Sequence, residues 1–172
     1  MNTKICLLFC FLIGSTVAFA QNPPSSEDSY EKEYQKRIKK ERLYGVYIPK
    51  DLADSFIELN RLIDRKSKAK FKNRSENEVA RKLHFSLGRW IIHNWGFYGG
   101  SRFSTYLNKI GLNHPDDMAR FIIVSYHRNL NRQKLEVKEQ VEAFQAQRAA
   151  EEAERKKKAK VIHEEKRKRT KQ

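Results

Sequence analysis

The stretch Ser75-Glu76-Asn77-Glu78-Val79-Ala80-Arg81-Lys82-Leu83-His84-Phe85-Ser86-Leu87-Gly88-Arg89-Trp90-Ile91 decides the fold. Val79, Leu83, Leu87, Trp90 and Ile91 recur at intervals of three and four, which is the spacing of one face of an α-helix. Ser75 and Glu78 form a capping-box pattern, in which a hydroxyl and a carboxylate satisfy the first free N–H groups. A helix is therefore expected from Glu76 to about Asn94. Phe85 and Trp95 add apolar groups off the main stripe, so this helix reads as buried on more than one side and as the spine of the domain.

Working outward from it, Gly96, Gly99 and Gly100 break the helix around Phe97 and Tyr98. A short helix carrying Phe103, Tyr106, Leu107 and Ile110 follows and stops at Gly111. Pro115 suits the first position of the next helix, Asp116 and Asp117 face the positive end of its dipole, and Met118, Ile122 and Tyr126 continue one face, widened by Phe121, Ile123 and Val124. Upstream, Leu52, Phe56, Leu59 and Ile63 predict a helix beginning near Pro49, and the lysine-rich stretch Arg65 to Arg74 reads as a basic connector. The fold class is thus all-α: a compact four-helix domain over residues 44–131, holding both tryptophans and expected to fold alone.

Two flanking segments differ in composition. Residues 21–43 read as a polar helical arm with one weak stripe, Tyr30, Tyr34 and Ile38. Residues 132–172 thin to Leu135, Val137, Val141 and Phe144 and then become Ala, Glu, Lys and Arg, predicting a long charged helix with a basic end. Apolar heptads are not sustained there, so a coiled coil is not expected.

The 172 residues carry 36 Lys and Arg against 21 Asp and Glu, a net charge of +15. With seven Gly, four Pro and no sustained period-two alternation, sandwiches, barrels and nucleotide-binding α/β folds are disfavoured. Lys4, the apolar run Ile5 to Val17 and Ala18-Phe19-Ala20 have the three-part pattern of a signal peptide, so residues 1–20 are expected to be removed and the protein to be exported, to the periplasm or the medium. Cys6 and Cys10 leave with that segment, which excludes disulfides, thiolate metal sites and cysteine nucleophiles from the mature chain. No transmembrane segment is expected after cleavage.

Between residues 44 and 131 the chain resembles the bacterial family catalogued as domain of unknown function 6794. The resemblance rests on Tyr47-Ile48-Pro49-Lys50-Asp51-Leu52, Phe56 with Leu59, Leu83-His84-Phe85-Ser86-Leu87-Gly88, Trp90-Ile91, Asn94-Trp95-Gly96 and Gly99-Gly100-Ser101-Arg102. It continues through Tyr106, Gly111, His114-Pro115-Asp116-Asp117-Met118, Ser125-Tyr126-His127-Arg128 and Leu130-Asn131. It implies a helical module without an assigned chemistry. Ile92 and His93 stand where the family prefers arginine and asparagine, and Ala119 where serine is usual, which weakens any shared site built on that arginine.

The polar and small residues that ask for an explanation are His84, Gly88, Asn94, Arg102, His114, Asp116, Asp117, His127 and Arg128, with Trp90 and Trp95 as aromatic members of the same motifs. Gly88, one turn after His84, leaves a notch that fits either a tight helix crossing or a ligand. His114-Pro115-Asp116-Asp117 serves either as a helix start or as a histidine with two carboxylates for a metal or a water. No zincin, nucleophile-elbow, phosphate-loop or calcium-loop motif occurs, so no cofactor, metal ligand or catalytic residue is assigned. The expected role is an exported helical interaction domain that binds a protein or an anionic envelope component. Nucleic acid is disfavoured because no groove-reading motif is present. The alternative is a metal- or His/Asp-dependent hydrolase. Intact mass of the exported protein tests the first expectation: the chain should begin at Gln21, and retention of residues 1–20 contradicts cleavage.

Overall fold

The computed structural model describes residues 26–169, with side chains through residue 159. The expected signal segment and cleavage site, residues 1–20, lie outside the described residues, as do the side chains of the tail's basic end. Eight α-helices and one hairpin make up the described chain: α1 Glu27–Arg37, β1 Arg42–Leu43, β2 Val46–Tyr47, α2 Leu52–Leu62, α3 Arg65–Lys72, α4 Glu76–Lys82, α5 Arg89–Asn94, α6 Arg102–Lys109, α7 Pro115–Leu130 and α8 Val137–Arg169. A π-helical turn, His84–Gly88, joins α4 to α5. The all-α class stands, and the four expected helices are present as α2, α4 with α5, α6, and α7.

The spine is α7, not α4 and α5. Asp117, Met118, Ala119 and every residue from Phe121 to His127 are buried on it, and α2, α3, α4, the π turn, α5 and α8 all pack against it. Its sequence allows this because Phe121, Ile122, Ile123 and Val124 are consecutive, and four adjacent apolar residues cover the whole circumference of a helix. The reading of α4–α5 as the central helix fails at Phe85, which is 71% exposed. The π turn is the reason. Gly88 N–H bonds Leu83 C=O at 2.9 Å, a five-residue step in place of four. The additional residue keeps Val79 and Ile91 in the core with Leu83 and Leu87 packed on it, while Phe85 turns to solvent.

Residues 65–72 are a helix and not a connector. Asp64 caps it by accepting from Ser67 N–H at 2.9 Å, and Phe71 anchors its last turn between Tyr126 and His127, with ring centroids 5.5 Å from each. The capping box at Ser75 is half formed: Ser75 Oγ accepts from Glu78 N–H, but the Glu78 carboxylate pairs with Arg74 and Lys82. Pro49 precedes the true cap, Asp51, which accepts from Asp54 N–H at 2.8 Å.

The arm's helix stops at Arg37, earlier than its composition suggests, and the chain turns back as a hairpin at Tyr44-Gly45. Both residues are left-handed, φ 49° and 81°, as a two-residue turn with the twist of the flanking strands requires. The hairpin inserts Leu43 into the core beside Ile48. At the other end Val141 is buried and Phe144 packs on the same core, whereas residues 149–159 of α8 are exposed. A helix of 33 residues extends about 50 Å, so most of α8 projects beyond the domain.

A fragment of residues 44–131 keeps α2 through α7 and should melt cooperatively. It lacks Leu43, Val141 and Phe144, so its midpoint should lie below that of residues 26–159. Val141→Ala alone should cost about 2 kcal/mol, two buried methyl groups plus a cavity. Equal midpoints in thermal denaturation would show that neither flank contributes to the core.

Candidate functional site

His84, in the π turn, and Asp116, in the first turn of α7, meet with His84 Nε2 3.4 Å from Asp116 Oδ1. His114 caps α7 by accepting the Asp116 N–H at Nδ1, 3.3 Å, and the same nitrogen lies 3.7 Å from Asp116 Oδ2. The expected helix-start role of His114-Pro115-Asp116-Asp117 is therefore realised, and it delivers one carboxylate between two imidazoles. Asp117, on the inner side, is 6% exposed and accepts from Arg120 at 3.1 Å and from Arg148 of α8 through two guanidinium nitrogens at 2.8–3.0 Å. The carboxylate beside it holds the Arg148 guanidinium above its usual range, overcoming partial desolvation.

Around the His84–Asp116 contact lies an open groove of about 810 Å³, with Arg81, Lys82, Phe85, Arg120 and Arg148 along it. On the other side of Phe85 a second cleft of about 540 Å³ is lined by Arg89, Ile92, His93 and Tyr98. Phe85 and Tyr98 are 71% and 76% exposed, and the Arg89 guanidinium sits 5.7 Å over the Phe85 ring. The surface combines exposed aromatic rings with a cationic rim, and Asp116 and Glu78 are the acids among its lining residues.

His84 is not arranged as the middle member of a nucleophile–His–acid relay. One ring nitrogen faces Asp116, and the other, Nδ1, is buried without a hydrogen-bond partner. A Cβ at Gly88 would stand 3.3 Å from that Nδ1 and 3.5 Å from Ile123 Cδ1. The Gly88 notch is thus occupied from within, by the His84 ring and by α7. A nucleophile–His–acid relay needs both ring nitrogens, one for the acid and one for the nucleophile. Among the described residues no three His, Cys, Asp or Glu side chains converge on a position that could hold a metal ion.

The other sequence candidates lie elsewhere. His127 Nε2 contacts Arg74 C=O at 2.8 Å, fastening the α3–α4 link to α7. Arg128 grips the Glu76 carboxylate with two nitrogens at 2.7 and 2.9 Å and donates to Leu135 C=O at 2.9 Å, tying α4 and the start of α8 to α7. Arg102 donates to Ile48 C=O at 2.7 Å and lies 5.1 Å over the Tyr47 ring. Asn94 bonds the Trp90 C=O of its own helix, and Trp90 and Trp95 stack edge to face 6.0 Å apart. Ile92, one departure from the family pattern, is buried in the core. Sequence reasoning missed Phe85 as a surface group and Arg148 as a partner of Asp117; the first was masked by the π turn and the second by the charged composition of the tail.

Residues 48–130 match the model of a protein family described as Domain of unknown function (DUF6794). No curated protein and no solved structure matches the chain.

The Arg128 hydrogen bonds and charge hold the Glu76 carboxyl below its ordinary value of 4.5, against the opposing effect of burial. A carboxyl with a lowered folded pKa stabilises fully above the unfolded value, and that contribution disappears as the pH falls through the folded value. Glu76→Gln should therefore lower the melting midpoint at neutral pH and remove part of its fall below about pH 4.5. A variant whose acid limb parallels the wild type would contradict the tie.

Proposed function

With its middle, residues 48–130, belonging to the family of domain of unknown function 6794, the chain is, we propose, an exported, non-catalytic interaction domain whose groove beside the π turn receives an acidic partner of the cell envelope. The observation that carries this reading is Phe85. It sits on a fixed turn, 71% exposed, between two concave surfaces rimmed by Arg81, Lys82, Arg89, Arg120 and Arg148. Burying a phenylalanine contributes about 1.5–3 kcal/mol, a gain left for a partner to collect when the ring faces water. Aromatic and arginine side chains are also the residues that most often dominate binding energy at interfaces. The net charge, +15 for all 172 residues and one less, +14, once Lys4 leaves with residues 1–20, favours an acidic partner through steering as well as contact.

The orientation of His84 supports binding over hydrolysis, because its free nitrogen points into the protein. In this reading His84 and Asp116 fix the π turn against α7 and so hold Phe85 in place. The test is capture from an envelope extract by the immobilised chain starting at residue 21, compared with Phe85→Ala and Arg81→Gln at about 0.1 M and about 1 M salt, where the screening length falls from about 10 to about 3 Å. The wild type should retain a species that both variants hold at least about tenfold more weakly, with the Arg81 effect vanishing at high salt. Identical retention by all three proteins contradicts the groove as the binding surface.

A further inference from the structure

We infer that α3 is an electrostatic anchor whose outer face seats the domain on an anionic lipid bilayer. Its eight residues, Arg65-Lys66-Ser67-Lys68-Ala69-Lys70-Phe71-Lys72, contain five cations and no acid. Lys66 and Lys70, and Lys68 and Lys72, are one turn apart, and like charges at that spacing work against a helix. The helix forms because Asp64 caps it and Phe71, 6% exposed, is packed between Tyr126 and His127. Lys68 is turned to the protein, donating to Asn60 C=O at 3.0 Å. That leaves Arg65, Lys66, Lys70 and Lys72 exposed, with the small Ala69 among them.

Among the described residues, none of these four cations makes an ion pair, although pairs are common elsewhere on the surface. The contrast with α8 is informative. That helix is less dense in cations and carries acids among them, and Lys138, Arg148, Lys156 and Lys158 each lie within 4 Å of a carboxylate, although among the described residues Arg155 and Lys157 do not. Charge is left uncompensated on α3, which folds against its own repulsion.

The occupant follows from shape and donor type. None of α3 lines the grooves around Phe85; its outer face is a convex strip about two turns, or 11 Å, long. A small anion needs a concavity, whereas a headgroup layer offers a broad sheet of negative charge. Three of the four free cations are lysines, compact hydrated charges that suit diffuse attraction better than the bidentate geometry of arginine. The one aromatic residue of α3 is buried, so the face has no ring on which a nucleic-acid base could stack.

Position makes the inference independent of the groove. Phe71 docks α3 at Tyr126 and His127, whereas the His84–Asp116 contact in the groove lies about 16 Å away along the rise of α7; the groove's near rim starts at Ser75, and no residue of α3 lines it. The domain can rest on a membrane surface with the groove open.

The chain starting at residue 21, which retains every described residue and lacks the apolar run Ile5 to Val17, is mixed with vesicles of phosphatidylglycerol and phosphatidylcholine and with vesicles of phosphatidylcholine alone. Sedimentation should show binding to the first and not the second, released at about 1 M salt. Each lysine near an anionic surface accounts for about a fivefold change in affinity, so K66Q/K70Q should weaken binding about 30-fold. K156Q/K158Q, an equal change in net charge on the tail, should weaken it less. Circular dichroism confirms that the glutamine variants stay folded, and Phe85→Ala should bind vesicles like the wild type whether or not the groove reading holds. The inference is overturned if vesicles are not bound, if K66Q/K70Q binds like the wild type, if the tail pair has the larger effect, or if soluble polyphosphate is bound while vesicles are not.

Discussion

The structure depends on the complete enclosure of one helix. Every residue of α7 from Phe121 to His127 is buried, so about two consecutive turns are enclosed all round. A helix in that position has to be apolar around its circumference, and each polar group carried into the interior needs a partner. Tyr126 meets the requirement by donating to Asn60 Oδ1 at 2.9 Å, and burial pushes its hydroxyl up to about 12, so it stays protonated. His127 meets it at Nε2, through Arg74 C=O, whereas its Nδ1 is buried without a partner among the described residues. The short helices around α7 are held less by their own propensity than by the apolar face each turns toward it, as expected for elements of eight residues or fewer.

Charged ties at the ends of α7 fix what surrounds it. At the N-terminal end Asp117 draws Arg148 onto the domain, which fixes the direction in which α8 leaves. At the C-terminal end Arg128 joins Glu76 and Leu135 C=O. Both are fork-to-carboxylate contacts, the geometry in which arginine gives the most orientation for its charge. Between these ends the π turn rests on α7 through Gly88 and Ile123, and this contact turns Phe85 outward. The candidate surface is thus a by-product of how α4 and α5 accommodate the central helix, and the His84–Asp116 contact holds it at its edge.

Much of this was legible in the sequence. The all-α class, the capped start at His114-Pro115, the stop at Gly111 and the core roles of Leu52, Phe56 and Leu59 follow from spacing and end signals alone. What was hidden has specific causes. A π turn carries no composition signal distinct from an α-helix, so the spacing of Val79 to Ile91 gave no warning that Phe85 leaves the core. Residues 65–72 looked like a connector because a single phenylalanine makes no periodicity. The hairpin at Tyr44-Gly45 is two residues a side, too short for alternation to register. The site was legible only in part: the His114 motif and His84 were identified as groups, but their meeting at Asp116 is a tertiary fact, and Arg148 reaches the site from a segment whose composition reads as solvated helix.

Native-state hydrogen exchange tests the central role of α7 most directly. Amides from Met118 to His127 should exchange only through global unfolding, with an opening free energy equal to that from denaturant melts, while α1 and α8 beyond Arg148 exchange through local opening at far lower cost. Exchange of the α7 amides below the global value, with α4–α5 protected to the full extent, would contradict the account and place the stable centre of the domain elsewhere.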